Sequence, residues 1–154
     1  MQTTALGDDG VQTVRYWLYA PGEGASMWDE FYERGVMGIG WHQLGDLREY
    51  ATKEEMRQRL LETRGDSTSQ ANSARAVWQF ANEMKPGDVI FVKRGLKEII
   101  GHGVVTGDYV YDPEGGHYPN CREVRWTHKG NWSLDKPWPV RKTLTEITDY
   151  TDRL

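Results

Sequence analysis

Two aromatic residues stand where a side chain could stack on a flat ligand. Trp41 follows residues 36–40, a short run in which glycines alternate, and it precedes polar residues, so its ring is predicted at a strand end. Tyr118 lies in residues 112–121, a loop without hydrophobic periodicity, and loops that carry aromatic residues on a rigid scaffold are often binding elements. Alternatively, the indole of Trp41 packs in the core and the phenol of Tyr118 packs on the surface.

Stacking alone would not make such a site selective. A nucleobase stacked on an aromatic ring gains about 1–3 kcal/mol. One buried methyl group adds about 0.8 kcal/mol, which changes an affinity about fourfold. Selectivity therefore needs polar groups that pair with the edge of the base. Besides Trp41 and Tyr118, the candidates for contact with such a flat ligand are Ser26, His42, Ser73, Asn120 and Trp28, of which Trp28 also suits the core.

Basic side chains are concentrated in the strand-rich part of the chain. Residues 85–142 carry ten basic and seven acidic side chains, whereas the whole chain has a net charge of −4. This distribution argues against non-specific coating of nucleic acid and fits contact with a few phosphates, the alternative being an unevenly charged solvated surface. The candidates for phosphate contact are Lys93, Arg94 and Lys97 in a predicted hairpin, and Arg122 and Arg125 beside the Tyr118 loop.

Other kinds of site have weaker sequence support. His117, Cys121 and His128 lack a fourth ligand at a recognisable spacing, so no metal or other cofactor is expected. The sequence contains no Gly-rich loop ending in Gly-Lys-Ser or Gly-Lys-Thr, the signature of P-loop NTPases. A small hydrolase acting on a modified nucleobase or nucleoside stays open, with Glu23 or Asp46 as its general base.

The totals describe one domain of ordinary size. The chain has 154 residues and one cysteine, which fits a reducing cytoplasm. No apolar run approaches the ~20 residues that cross a bilayer, and no signal peptide is recognised, so no membrane contact is expected. We expect residues 1–13 to be a flexible leader and residues 14–150 to form a single domain.

Short strands and short helices would hold these residues. Residues 87–111 predict an antiparallel meander, and Gly101 and Gly103 suit either tight coiling of the sheet or close approach of a ligand. Further strands are predicted at residues 14–19, 36–41 and 123–127. Helices are predicted at residues 27–34, 52–63 and 72–84, with a last helical turn at 145–150.

The order of the motifs resembles an EVE domain of the PUA/YTH-like superfamily. It is more closely similar to the EVE-like modules at the amino end of McrB-type modification-dependent restriction GTPases. The motifs are Tyr16-Trp17-Leu18, residues 22–31, Gly38-Ile39-Gly40-Trp41, Gly45-Asp46-Leu47, residues 84–88, and Gly101-His102-Gly103-Val104-Val105 before Tyr109. The chain departs from the EVE pattern after the first strand, where residues 20–23 replace a Lys-Ser-Glu-Pro-like segment.

The resemblance implies both a fold and a function. The fold would be α+β: a small PUA-like β-pseudo-barrel of about five or six mostly antiparallel strands, flanked by three or four short helices. The function would be non-catalytic recognition of DNA by a restriction system for defence. A modified base, of the methylcytosine or N6-methyladenine class, would be flipped between Trp41 and the Tyr118 loop. A reader of modified RNA is the alternative, and the implied partners are an AAA+ GTPase domain in the full-length protein and a nuclease subunit.

Overall fold

The computed structural model describes residues 13–64, 70–137 and 142–149. The predicted leader, residues 1–13, lies outside these ranges apart from its last residue. The strands are β1 (Tyr16–Tyr19), β2 (Val36–Ile39), β3 (Val89–Arg94), β4 (Glu98–Val105), β5 (Val110–Tyr111), β6 (Asn120–Ser133) and β7 (Leu144–Glu146). The α-helices are α1 (Trp28–Arg34), α2 (Lys53–Arg64) and α3 (Ala71–Trp78), and α3 continues as a π-helical turn at Gln79–Glu83.

The strands form one curled sheet in the order β2-β6-β4-β3-β1-β7, with β5 paired to β6 outside this path. β1 and β3 are parallel, and every other pair is antiparallel. The connection between the two parallel strands contains all three α-helices, as a parallel pair needs a long crossover. The expected α+β class, with mostly antiparallel strands and short flanking helices, is confirmed.

The larger of two hydrophobic clusters in the described residues joins the helices to the strands. Trp17 and Tyr19 of β1, Phe31 of α1 and Phe80 after α3 are all buried in it. The Tyr19 hydroxyl donates to the Gly38 carbonyl oxygen at 2.5 Å and accepts from the Gly38 N–H at 2.9 Å, which ties β1 to β2. Burial raises the pKa of Tyr19 far above its usual value, so the phenol stays protonated.

The glycines of β4 make room for core indoles. A Cβ atom at Gly101 would overlap the ring of Trp28, and one at Gly103 would lie 2.6 Å from the ring of Trp126. The two indoles meet edge to face with their centroids 4.8 Å apart. The alternating glycines therefore serve core packing rather than the close approach of a ligand.

The predicted helical turn at residues 145–150 is wrong where it begins. Leu144–Glu146 is strand β7, which pairs antiparallel with β1. Hydrogen bonding to the main chain of β1 makes this segment a strand, and that pairing cannot be recognised from the local sequence.

Candidate functional site

A cavity of about 590 Å³ opens where β2 ends beside the turn between β3 and β4. Its described lining residues are Ala20, Gly22, Glu23, Gly24, Gly38, Ile39, Gly40, Trp41, Lys93, Gly95, Leu96, Tyr118 and Thr143. Five of these residues are glycines, so much of the wall is main chain and its polar groups are within reach of a ligand. We call this the aromatic cavity, because Trp41 and Tyr118 both line it.

Trp41 has an unusual backbone conformation. Its φ of 59° and ψ of 42° lie in the left-handed region, which is uncommon for a bulky residue and costs about 1–2 kcal/mol. The indole is partly exposed and packs against the edge of the core. The carbonyl oxygen of Trp41 accepts from the Leu44 N–H at 3.0 Å, as the chain turns into the 3₁₀ segment His42–Leu44. A strained conformation that the fold maintains is typical of a functional position.

Asn120 holds the peptide before Trp41. Its Nδ2 donates to the Gly40 carbonyl oxygen at 2.7 Å, and its Oδ1 accepts from the Tyr109 hydroxyl at 2.6 Å. The same hydroxyl accepts from the Leu47 N–H at 3.0 Å. Asn120 is fully buried, so the prediction that it contacts a base is corrected: its amide is committed to the protein.

Tyr118 reaches the cavity from the predicted loop. Its ring packs edge to face on Phe31, with centroids 5.9 Å apart, and it is partly exposed. A Cβ atom at Gly22 would lie 3.0 Å from the Tyr118 hydroxyl oxygen, so the glycine lets the chain pass close to the phenol. Gly22 has a φ of 77°, which also favours glycine. The structure therefore brings Trp41 and Tyr118, from loops 77 positions apart, to one cavity.

Lys93 also lines the aromatic cavity, which was not expected. The register of β3 against β4 shifts between Val92 and Lys93, and both residues are buried. A bulge of this kind redirects a side chain, here from the hairpin surface into the cavity. Lys93 is only 4% exposed, so its predicted role in an exposed grip on the phosphate backbone is corrected.

The other basic residues predicted to hold phosphates do not form one surface. Arg94 is paired with Glu98 through two hydrogen bonds of 3.0 and 3.1 Å, whereas Lys97 is exposed near the hairpin turn. Arg125 is exposed on β6. The side chain of Arg122 is buried and donates to the carbonyl oxygens of Phe80 (2.8 Å), Gly107 (2.9 Å) and Ala81 (3.4 Å).

Arg122 is therefore a structural residue, and the expectation that it contacts the nucleic-acid backbone is wrong. Burial lowers the pKa of its guanidinium, as expected for a cation removed from water. Its three carbonyl partners provide the hydrogen bonds that water would otherwise supply.

Three predicted base contacts are not among the described residues that line the cavity. Trp28 is 5% exposed and packs on Trp126 and Tyr32, so it is a core residue and the expectation of base contact is corrected. Ser26 is exposed in the turn before α1, and Ser73 is partly buried on α3. Neither serine is among the described residues that line the aromatic cavity.

Two histidines flank the aromatic walls. The rings of His42 and His117 meet edge to face with centroids 5.4 Å apart, next in sequence to Trp41 and Tyr118 respectively. They connect the two loops at the rim. Within the described part of the chain, no three His, Cys, Asp or Glu side chains are grouped as metal ligands.

The two carboxylates considered for hydrolysis have different positions. Glu23 lines the aromatic cavity. Asp46 does not: it accepts from the Arg48 N–H at 2.9 Å and pairs with the Arg48 guanidinium at 2.7 Å. Hydrogen bonding from Arg48 lowers the pKa of this carboxyl group, which makes it a weaker base.

Some lining residues carried no recognisable signal in the sequence. Leu96 and Thr143 come from two separate segments, and neither residue stands in a motif. The charge of Lys93 is visible in the sequence, but the bulge that buries this residue leaves no trace in composition or periodicity.

No helix in the described ranges has both the length and the apolar character needed to span a membrane.

Comparison with known proteins identifies a family and two distant structural likenesses. No curated protein matches the chain. The YTH domain of the Zygosaccharomyces rouxii MRB1 protein, solved in complex with N6-methyladenosine RNA, is 10% identical with a TM-score of 0.46, covering 87% of this chain and 79% of that one. Protein Atu2648 from Agrobacterium tumefaciens is 17% identical with a TM-score of 0.43, covering 91% and 90%. A family model described as "Domain of unknown function (DUF8426)" matches residues 17–151.

Because that match spans most of the sequence, the chain belongs to the DUF8426 family.

Proposed function

We propose that this chain is a non-catalytic reader of modified nucleic acid, which binds one flipped base in the aromatic cavity. The preferred ligand is DNA that carries a base of the methylcytosine or N6-methyladenine class. The motif resemblance to EVE-like modules supports this choice. It also supports an AAA+ GTPase domain and a nuclease subunit as partners in a restriction system.

The observation that carries the proposal is that Trp41 and Tyr118 line the same open cavity. A cavity of about 590 Å³ lies within the usual range of about 300–1,000 Å³ for small-molecule sites and has room for a base with a substituent. The ring of Phe31 supports Tyr118, and the hydrogen bond from Asn120 to the Gly40 carbonyl fixes the peptide before Trp41. Both walls are therefore organised before a ligand arrives.

The energetics favour this arrangement over a site with a single ring. Flipping a base costs a few kcal/mol. Two aromatic walls, at about 1–3 kcal/mol each, offset that cost, whereas one would leave it largely uncompensated. Selectivity beyond the roughly fourfold contribution of one methyl group then depends on the polar wall. Lys93, Glu23 and Thr143 are the described side chains there that can form hydrogen bonds in addition to the two aromatic residues.

The test is a titration of wild type and Trp41→Ala with oligonucleotides of one sequence at fixed salt. The set contains DNA and RNA forms with 5-methylcytosine, with N6-methyladenine and without modification. We expect wild type to prefer one modified form and Trp41→Ala to bind all forms equally while remaining folded. Trp132→Ala is the matched control, since Trp132 is 48% exposed and does not line the cavity.

Equal binding of all forms by wild type would contradict the proposal. Retained discrimination in Trp41→Ala would remove the indole from the site. Preference for the RNA forms would replace DNA by RNA as the ligand.

A hydrolase acting on a modified nucleobase or nucleoside is the second candidate, favoured by the position of Glu23 in the cavity wall. Mass spectrometry of a modified oligonucleotide after incubation tests it. Product that forms with wild type and not with Glu23→Gln would establish a hydrolase. An unchanged oligonucleotide, bound with preference, would support the reader.

A further inference from the structure

A second, smaller cavity lies between α3 and β7, with a volume of about 230 Å³. The helix and its continuation contribute Asn72, Arg75, Ala76 and Gln79, which follow the i, i+3, i+4, i+7 spacing of one helical face. Three of these four residues are polar, and the small Ala76 leaves room between them. We call this the polar cavity.

The polar cavity carries two cations. Arg75 comes from α3 and Lys142 from the residues just before β7. Glu146 is the one acidic residue among the described lining residues, and it shares Arg15 with Glu83, whose Oε1 lies 3.0 Å from Nη1 of that guanidinium. Oε2 of Glu146 accepts from the Thr148 hydroxyl at 2.8 Å and lies 3.8 Å from Nε of Arg15. Arg75 and Lys142 therefore give the cavity a positive balance that suits an anion.

The floor of the polar cavity offers further hydrogen-bonding groups. Thr145 of β7 contributes to the lining, although its side chain lies on the Leu18 side of the strand and its Oγ1 is buried. β7 also ends the strand order of the described sheet, so the main-chain groups on its outer edge are not used by a neighbouring strand.

The two cavities meet at consecutive residues. Thr143 lines the aromatic cavity, and Lys142 lines the polar cavity. Adjacent Cα atoms are about 3.8 Å apart, so the two cavities border the same short segment of the chain.

We propose that the polar cavity is a phosphate site, which binds a phosphodiester group of the nucleotide whose base enters the aromatic cavity. The inference rests on the proposed function. It places the backbone along α3 and β7 instead of along the hairpin between β3 and β4. Arg75 and Lys142 contact phosphate oxygens.

The experiment measures the salt dependence of binding for the double variant R75Q/K142A with the preferred modified oligonucleotide. Removing two phosphate contacts should lower the slope of log K against log salt by about 1.4 for a single strand and about 1.8 for a duplex. The preference for modified over unmodified oligonucleotide should persist, because the phosphate contacts carry no base information. K53A/R59A is the control for net charge, since both residues are exposed on α2.

An unchanged slope in R75Q/K142A, with a folded protein, would overturn the phosphate site while leaving the reader function intact. A slope reduced equally in K53A/R59A would also overturn it, because only total charge would then matter. If wild type showed no preference for any modification, the reader function itself would fail first.

A second measurement separates a nucleotide from a free anion. The backbone amide resonance of Thr145 is followed while inorganic phosphate, a modified nucleoside or its 5′-monophosphate is added. We expect the monophosphate to shift Thr145 at far lower concentration than inorganic phosphate, and the nucleoside to leave it in place. Equal potency of inorganic phosphate would overturn the link to the aromatic cavity.

Discussion

At the scale of single residues, the function we propose depends on how Trp41 is held. A bulky residue in the left-handed region is unfavourable, and the fold maintains it through neighbours on both sides. Before it, the Gly40 carbonyl is fixed by Asn120, and after it the chain turns into a 3₁₀ segment. These contacts orient the indole toward the aromatic cavity before any ligand arrives.

The strain at Trp41 predicts an unusual order of stabilities. Glycine accepts a φ of 59° without steric cost, whereas alanine does not. We therefore expect Trp41→Gly to be more stable than Trp41→Ala by about 1 kcal/mol in urea unfolding. An alanine variant more stable than the glycine variant, as is usual in extended strands, would contradict the left-handed conformation.

Residue types could mark Trp41 and Tyr118 only as candidates, because an indole at a strand end and a phenol in an aperiodic loop are visible in the sequence, whereas the choice of binding over packing comes from the motif resemblance. The role of Asn120 could not be predicted in the same way. Its partners at Gly40 and Tyr109 are fixed by strand register, and the sequence names no acceptor for a given amide. The prediction for Trp28 failed for a similar reason, since its burial depends on Gly101 of a distant strand.

At the scale of elements, β6 connects more parts of the fold than its sequence suggests. It pairs with β2, β4 and β5, and Arg122 connects it to the π-helical turn after α3. The last carbonyl groups of a helix lack intrahelical partners, and the guanidinium supplies donors near this end. The sequence placed Arg122 beside a predicted strand, but its partners on the helical turn lie about forty positions away in the chain.

Arg122→Ala should therefore destabilise the protein rather than weaken phosphate binding. It leaves the Phe80 and Gly107 carbonyl oxygens without this donor, and we expect a loss of about 2–4 kcal/mol in the free energy of unfolding. Arg125→Ala, on the same strand but exposed, should change it by less than about 0.5 kcal/mol. A stable Arg122→Ala variant with a reduced salt slope would reverse this assignment.

β4 and β6 also create a pH-dependent element on the outer side of the sheet. The pKa of His102 is lowered from its ordinary value of 6.5, first by burial and then by the neighbouring His128. Its Nδ1 lies 2.7 Å from the Thr127 hydroxyl. Below pH 6.5 the unfolded chain therefore binds a proton more readily than the folded chain. The stability that depends on a neutral His102 is therefore fully present above pH 6.5. It is lost as the pH falls toward the pKa that His102 has in the folded protein.

Urea unfolding of wild type and His102→Gln, from about pH 7.5 down to about pH 5, tests this dependence. We expect the variant to lose less stability on acidification than wild type, because one titrating group is gone. His128→Gln should have an intermediate effect, because His128 is the second cause of the lowered pKa of His102 and its removal relieves that part. Parallel pH profiles for wild type and His102→Gln would contradict the assignment.

At the scale of the whole molecule, the sheet places the aromatic cavity and the polar cavity at consecutive residues of one segment. The α+β class, most of the strands and the three helices follow from periodicity and turn residues in the sequence. The bulge at Lys93, strand β7 and the polar cavity do not, because each depends on how distant segments meet. The acidic chain as a whole thus presents positive charge in a local site.

The most direct measurement follows the indole N–H resonance of Trp41, assigned from its loss in Trp41→Phe, during titration with the preferred modified oligonucleotide. We expect this resonance to shift in step with binding, while those of the core residues Trp17 and Trp28 stay in place. Saturated binding with an unmoved Trp41 resonance would contradict the claim that a modified base stacks on this indole.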